Sequence, residues 1–139
     1  MHVFVTGGTG TIGSAVVAEL LGNGHTVLAL ARSDCSERTL KEAGAEVLRG
    51  GLADLDVLRD GVARTDGVIS LAFGRDYSSP DALAAAIAEE TAAMTTPGEV
   101  LIGSERPIVT VSGTRCPVEP PPRPIRHGPT DRWDSVADR

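Results

Sequence analysis

The chain has 139 residues, with 13 Lys and Arg against 19 Asp and Glu, and a formal net charge of -6 at pH 7. A hydrophobic fraction of 41% and a charged fraction of 23% indicate one soluble globular domain, and the acidic balance argues against binding to nucleic acid. No apolar run approaches the roughly 20 residues of a membrane span, so we expect no membrane partner and a cytoplasmic location.

Five short runs rich in Val, Ile and Leu predict the strands of a parallel sheet. Each run is almost wholly apolar, which is typical of a strand that is buried on both faces. The predicted strands cover residues 2–6, 26–31, 46–49, 67–73 and 107–112.

The first two segments between these runs predict amphipathic helices. Apolar residues recur at helical spacing over 12–21, and the glycines that follow end the first helix. The second helix begins at Ser33 or Asp34, where Glu37 can complete a capping box, and ends at Gly44.

Two further helices complete the predicted fold. The third begins near Asp54, and the fourth covers 80–94, with Pro80 in its first turn and "TTPG" at 95–98 interrupting it. Strands that alternate with helices in this way predict an α/β fold, a Rossmann-type doubly wound parallel sheet with flanking helices. The expected strand order is 3-2-1-4-5.

The loop after the first predicted strand is rich in glycine. Such a loop aims the first N–H groups of the next helix at an anion, and its glycines permit the turn, the approach of phosphates and close helix packing. Glycines at 7, 10 and 13 fit G-x-x-G-x-x-G, and those at 8, 10 and 13 fit G-x-G-x-x-G. The loop predicts a dinucleotide cofactor as partner; the alternative is glycines that serve only a tight turn. The predicted loop site comprises Thr6, Gly7, Gly8, Thr9, Gly10, Thr11, Ile12 and Gly13.

The end of the second strand favours NADP over NAD. An acidic residue there binds the ribose 2′-OH of NAD, whereas a basic residue accommodates the 2′-phosphate of NADP. Arg32 follows the strand directly, Ser33 offers a second phosphate donor, and Asp34 comes later, in the helix cap. The alternative interpretation of Arg32 is a solvated charge at a strand end.

Residues 3–32, "VFVTGGTGTIGSAVVAELLGNGHTVLALAR", resemble the opening of extended and atypical short-chain dehydrogenases/reductases, the NAD-dependent epimerase/dehydratase family. The resemblance continues through "GAEVLRGGLADLDVLRDGVARTDGVISLAF" and "RPIVTVSGT" and so covers 1–114. The usual motif of that family is T-G-x-x-G-x-x-G, which implies the three-spaced register and leaves Gly8 as an extra small residue beside the phosphates.

The resemblance implies two further cofactor contacts. The family usually carries an Asp and then an apolar residue near the adenine; here Gly51 stands in place of the Asp, and Leu52 is the apolar contact. After the fourth strand, Leu71, Ala72 and Phe73 lie against the nicotinamide-side ribose and phosphates. A core position is the equal alternative for Phe73.

The resemblance also implies a catalytic group that the sequence only partly supplies. The family uses the Tyr of a Y-x-x-x-K motif as general acid/base, with a Ser or Thr after the fifth strand. Ser112 and Thr114 supply the hydroxyls, although Ser-Gly-Thr is also ordinary turn chemistry. Tyr77 is the one tyrosine and has no Lys four residues on, since the one lysine is Lys41.

The implied function is therefore that of an NADP-dependent oxidoreductase or sugar-nucleotide epimerase/dehydratase lineage whose Tyr/Lys pair is missing here. The alternatives are a non-catalytic dinucleotide-binding regulator or redox sensor, and an inactive remnant. The small-molecule substrate is not identified, and a homodimer is expected by analogy with the family alone.

The composition changes at Arg115. Residues 115–139 hold six of the nine prolines and have no apolar periodicity, which predicts an irregular or disordered tail after the dinucleotide-binding domain at 1–114. Because the family continues there into its Tyr/Lys helix, we expect the chain to be truncated or frame-shifted before the C-terminal part of the family. Cys35 and Cys116 lack the paired spacing of a metal site, so no metal is predicted.

Overall fold

The computed structural model of the chain describes residues 1–73 and 78–111. Within these residues the strands form one parallel sheet in the order β3-β2-β1-β4-β5, which confirms the predicted fold class and strand order. The elements in chain order are β1 (His2–Thr6), α1 (Thr11–Gly22), β2 (Thr26–Ala31), α2 (Asp34–Glu42), β3 (Glu46–Arg49), α3 (Leu55–Ala63), β4 (Gly67–Ser70), α4 (Pro80–Leu101) and β5 (Ile108–Thr110).

The two faces of the sheet carry separate apolar layers. Val5 of β1 belongs to the layer that includes Val17 of α1 and Leu40 of α2. Its neighbour Phe4 belongs to the opposite layer, with Leu58 of α3 and with Ala93 and Leu101 of α4. Successive side chains of a strand point to opposite faces, so β1 supplies both layers and lies at the centre of the fold.

The two edge strands are not buried on both faces, and for them the prediction is wrong. All three residues of β5 are exposed, and β3 has only half-buried Val47 and Leu48 between exposed ends. An edge strand has a neighbour on one side only; among the described residues β5 pairs with β4 and β3 with β2. β4 and β5 are also shorter than predicted, whereas β1, β2 and β3 have the predicted bounds.

The fourth helix does not end at 94, as the "TTPG" segment predicts, but continues to Leu101 with Pro97 inside it. A proline inside a helix removes one backbone hydrogen bond. Here Pro97 is fully buried, and Ala93 and Leu101 on the same helix belong to the apolar layer shared with α3. Burial of this face offsets the missing bond. No helix of the described ranges, α4 included, has the length and apolarity needed to cross a membrane.

The capping box of α2 forms with a different partner from the one expected. Ser33 is the N-cap: its hydroxyl accepts from the Ser36 amide at 3.2 Å, and the Ser36 hydroxyl accepts from the Ser33 amide at 3.0 Å. The prediction that Glu37 completes the box is wrong, because with Ser33 as the N-cap the third helical position is Ser36. The Glu37 carboxylate binds Lys41 and Arg49.

Candidate functional site

Two glycines of the loop between β1 and α1 leave no space for a side chain. Gly7 has a φ of +73°, and a Cβ there would lie 2.6 Å from the amide nitrogen of Ala72. A Cβ on Gly13 would lie 2.0 Å from the carbonyl oxygen of Gly7. Gly7 therefore permits the turn and the approach of the segment after β4, and Gly13 lets α1 pack directly against the loop.

The N-terminus of α1 has no side-chain cap. Gly10 is the N-cap with φ -75° and ψ 171°, and no side chain accepts from the first turn, whereas Ser33 and Ser79 cap α2 and α4. The amides of 11–13 have no carbonyl four residues back within the helix. Within the ranges 1–73 and 78–111, a Cβ on Gly10 would meet one atom within 4 Å, the Gly7 carbonyl oxygen at 3.3 Å. Among the residues that the structure describes, the loop thus presents amides without a backbone acceptor and the positive end of a helix, beside space that no described side chain fills.

The remaining loop residues divide between core and surface. Gly8 is buried, and a Cβ there would lie 3.1 Å from a Leu40 methyl and 3.2 Å from a Val17 methyl. Gly8 is therefore small because the loop packs on the core. The side chains of Thr9, Thr11 and Ile12 are exposed.

Thr6 joins the glycine loop to the segment that follows β4. Its buried hydroxyl oxygen accepts from the amides of Leu71 and Ala72, both at 3.3 Å, and lies 3.3 Å from the Ser70 hydroxyl. The Leu71 amide also donates to the Thr6 carbonyl at 3.2 Å. Phe73, at the end of this segment, is 51% exposed, so the alternative that places it in the core is wrong.

Replacing Thr6 by valine is expected to lower the free energy of unfolding by about 1–2 kcal/mol, because the Ala72 amide loses its acceptor at a part-buried position. Urea unfolding followed by circular dichroism measures the change. Thr26→Val is the matched control, since Thr26 begins β2 with its side chain exposed. Equal stability of both variants and the unsubstituted chain would contradict the importance of this contact.

The predicted cofactor-selecting residues follow β2 at the same end of the sheet. Arg32 is exposed, and its guanidinium forms no hydrogen bond or ion pair with any residue that the structure describes. The Ser33 hydroxyl lies in the capping box, 3.0 Å from the Ser36 hydroxyl. Arg32 is thus a cation available to an external anion, whereas Ser33 already has protein partners.

An ion-pair cluster that sequence reasoning missed lies beside these residues. Arg49, at the end of β3, binds the Asp34 carboxylate at 2.7 Å and the Glu37 carboxylate at 2.9 Å. Hydrogen bonding to Asp34 raises the pKa of Arg49, and hydrogen bonding to Lys41 and then to Arg49 lowers the pKa of Glu37. No local motif indicates this cluster; the register of β2 and β3 in the structure places Arg49 opposite Ala31, three residues before Asp34.

The loop after β3 holds the two residues expected near an adenine. The Gly51 amide donates to the Asp54 carboxylate at 2.7 Å, so the side chain of Asp54 turns back to the position where the family usually has an Asp. Leu52 packs half-buried against the α3/α4 layer. The adenine contact of both residues stays a prediction.

The predicted catalytic residues Ser112 and Thr114 lie outside the described residues, as do Tyr77 and the tail at 115–139. The structure therefore brings together the glycine loop, the segment after β4, and the ends of β2 and β3. All four lie at the carboxyl edge of the sheet, where ligands of doubly wound folds bind.

Comparisons with known proteins agree with this geometry. Residues 1–100 match the model of the NmrA-like family. An uncharacterized protein of Schizosaccharomyces pombe is 45% identical over 114 residues, and one of Saccharomyces cerevisiae is 41% identical over 116 residues. Each match covers 82% of this chain and 38% of the relative, so the chain spans well under half the length of these relatives.

One solved structure contains a bound dinucleotide, the class of ligand that the glycine loop predicts. A short-chain dehydrogenase/reductase superfamily protein from Agrobacterium tumefaciens with bound NAD is 25% identical, with a TM-score of 0.64 over 81% of this chain and 32% of that chain. This similarity confirms the resemblance to the short-chain dehydrogenases/reductases. With the match over 1–100, it establishes that the chain belongs to the NmrA-like family, within that nicotinamide-dinucleotide-binding superfamily.

Proposed function

We propose that the chain binds NADP(H) and forms the cofactor-binding part of an oxidoreductase or sugar-nucleotide epimerase/dehydratase. The observation that carries this proposal is the uncapped N-terminus of α1 beside the open position at Gly10. Helix N-termini of this kind bind pyrophosphate through backbone amides, and the residues present fit such a group. The Agrobacterium relative with bound NAD supports the class of ligand.

In this proposal, different residues contact different parts of the dinucleotide. The amides of 11–13 bind the pyrophosphate, and Gly10 lets the backbone approach it. The Arg32 guanidinium, which lacks a partner among the described residues, binds the 2′-phosphate through charge-assisted hydrogen bonds. Thr6 holds the segment at 71–73 beside the loop, where it faces the nicotinamide half. The bound dinucleotide supplies or accepts a hydride.

Arg32→Ala is expected to raise the Kd for NADPH about tenfold or more and the Kd for NADH less than twofold. Only NADPH carries the 2′-phosphate, and a hydrogen bond to a charged group contributes about 1.5–3 kcal/mol. Calorimetric titration with each nucleotide measures both constants. Arg64→Ala is the matched control: it removes the same charge at the C-cap of α3. Equal effects of Arg32→Ala on the two nucleotides would remove the role assigned to Arg32.

A second candidate function is a non-catalytic dinucleotide-binding regulator or redox sensor. The observation that favours it is the lack of a Tyr and Lys four residues apart in the 139-residue sequence. Hydride transfer from NADPH to a panel of carbonyl compounds separates the two candidates. The regulator predicts nucleotide binding without turnover, and turnover by this chain would exclude it.

A further inference from the structure

Arg49 lies next to the residue that precedes Arg32. It is the register partner of Ala31, and the following amide, that of Gly50, donates to the Ala31 carbonyl at 3.0 Å. Neighbouring strands are about 4.8 Å apart. Arg49 is therefore placed at the carboxyl edge of the sheet where the proposed site receives the 2′-phosphate.

The guanidinium of Arg49 binds two carboxylates at the start of α2, one of which also binds a second cation. One nitrogen lies 2.7 Å from Asp34 Oδ1 and the other 2.9 Å from Glu37 Oε2. Glu37 also binds Lys41 Nζ at 2.6 Å, so it keeps a cation when Arg49 is removed. Asp34 has no other cationic partner in the ranges 1–73 and 78–111.

A released Asp34 carboxylate would change the nucleotide site. Asp34 is two residues beyond Arg32, which limits their Cα separation to about 7 Å. A carboxylate without a cationic partner this close along the chain to Arg32 repels the 2′-phosphate that Arg32 is proposed to bind. It is also the residue type that accepts a hydrogen bond from the 2′-OH of NAD. Freed from its ion pair, Asp34 would therefore disfavour NADP and favour NAD.

We propose that Arg49 is a positioning residue for cofactor selectivity, which holds the Asp34 carboxylate in an ion pair and so keeps the site beside Arg32 open to a 2′-phosphate. This inference rests on the proposed function. Arg49 acts through Asp34 and need not touch the nucleotide. The alternative is that the cluster only fastens α2 to β3.

The test is a titration of the Arg49→Ala chain with NADPH and with NADH at low ionic strength. The expected result is a rise of the NADPH Kd of about three- to tenfold, which corresponds to the Coulomb repulsion in water between a carboxylate and a singly or doubly charged phosphate ~7 Å apart. The NADH Kd should be unchanged or lower. The difference should shrink as salt is added, because the charges are exposed. Arg49→Lys should keep most of the preference for NADPH, and Arg49→Met serves if the alanine variant does not fold.

A second substitution in the Arg49→Ala chain distinguishes a role of Arg49 in cofactor selectivity from a purely structural role. Asp34→Asn in the Arg49→Ala background should restore the NADPH Kd, because no carboxylate is left to repel the phosphate. Glu37→Gln in the same background should not restore it, since Lys41 already pairs with Glu37. Arg64→Ala controls for the lost positive charge.

If the unsubstituted chain prefers NADPH, two outcomes would overturn this inference and leave the proposed function intact. One is that Arg49→Ala raises the Kd values for NADPH and NADH equally. The other is that adding Asp34→Asn to Arg49→Ala does not restore the NADPH Kd. An unsubstituted chain that binds neither nucleotide would overturn the proposed function and the inference with it. A clear preference of the unsubstituted chain for NADH would overturn the inference and the role of Arg32, but not dinucleotide binding.

Discussion

Replacing Gly13 by alanine is expected to lower the free energy of unfolding by about 3 kcal/mol, the upper part of the range for overpacking. The new Cβ would lie 2.0 Å from the Gly7 carbonyl oxygen and 2.9 Å from the Gly8 Cα. These are backbone atoms, so no side chain can rotate away, and α1 must move off the loop. Thermal and urea unfolding measure the loss.

Gly22→Ala is the matched control for this prediction. It introduces the same methyl group into the same helix, but a Cβ at Gly22 meets nothing within 4 Å. Alanine has a higher helix propensity than glycine, by about 1 kcal/mol, so this variant should be as stable as the unsubstituted chain or more so. A Gly13→Ala chain as stable as the control would contradict the close packing of α1 on the loop.

Gly10→Val is expected to weaken NADPH binding about 100-fold, or ~2.7 kcal/mol, while the chain stays folded. Gly10 has ordinary extended dihedral angles, and its Cβ would meet one atom within 4 Å. The side chain therefore enters the space that the pyrophosphate needs rather than the core. Valine is a poorer N-cap than glycine, so a stability loss of about 1 kcal/mol accompanies the effect.

Circular dichroism and unfolding curves must accompany the titration of Gly10→Val. The two variants are expected to differ in the quantity that changes most: Gly13→Ala mainly lowers the free energy of unfolding, and Gly10→Val mainly weakens NADPH binding. NADPH binding by folded Gly10→Val with the affinity of the unsubstituted chain would contradict the placement of the pyrophosphate at the N-terminus of α1.

The sequence was sufficient wherever a local pattern decides the structure. The apolar runs gave β1, β2 and β3 their bounds, since each is flanked by turn residues. Local patterns failed where distant contacts decide. Helix α4, in which Pro97 is buried and Ala93 and Leu101 pack with α3, continues beyond its local breaker. The edge position of β5 leaves its apolar residues exposed.

In the candidate site, too, local patterns predict some features, and distant contacts decide others. The turn at Gly7 and the close packing at Gly13 follow from the spacing of the glycines, because a loop between a parallel strand and a helix has few conformations. The core contact of Gly8 and the ion pairs of Arg49 depend on residues 9 to 32 positions away, which no local motif indicates.

The proposed dinucleotide binding is tested most directly by calorimetric titration. The unsubstituted 139-residue chain is titrated with NADPH and, in parallel, with NADH. Dinucleotide binding at the α1 N-terminus predicts saturable binding to one site. Arg32, which has no partner in the described part of the chain, predicts tighter binding of NADPH than of NADH. The absence of saturable binding of either nucleotide to the folded chain would contradict the central claim.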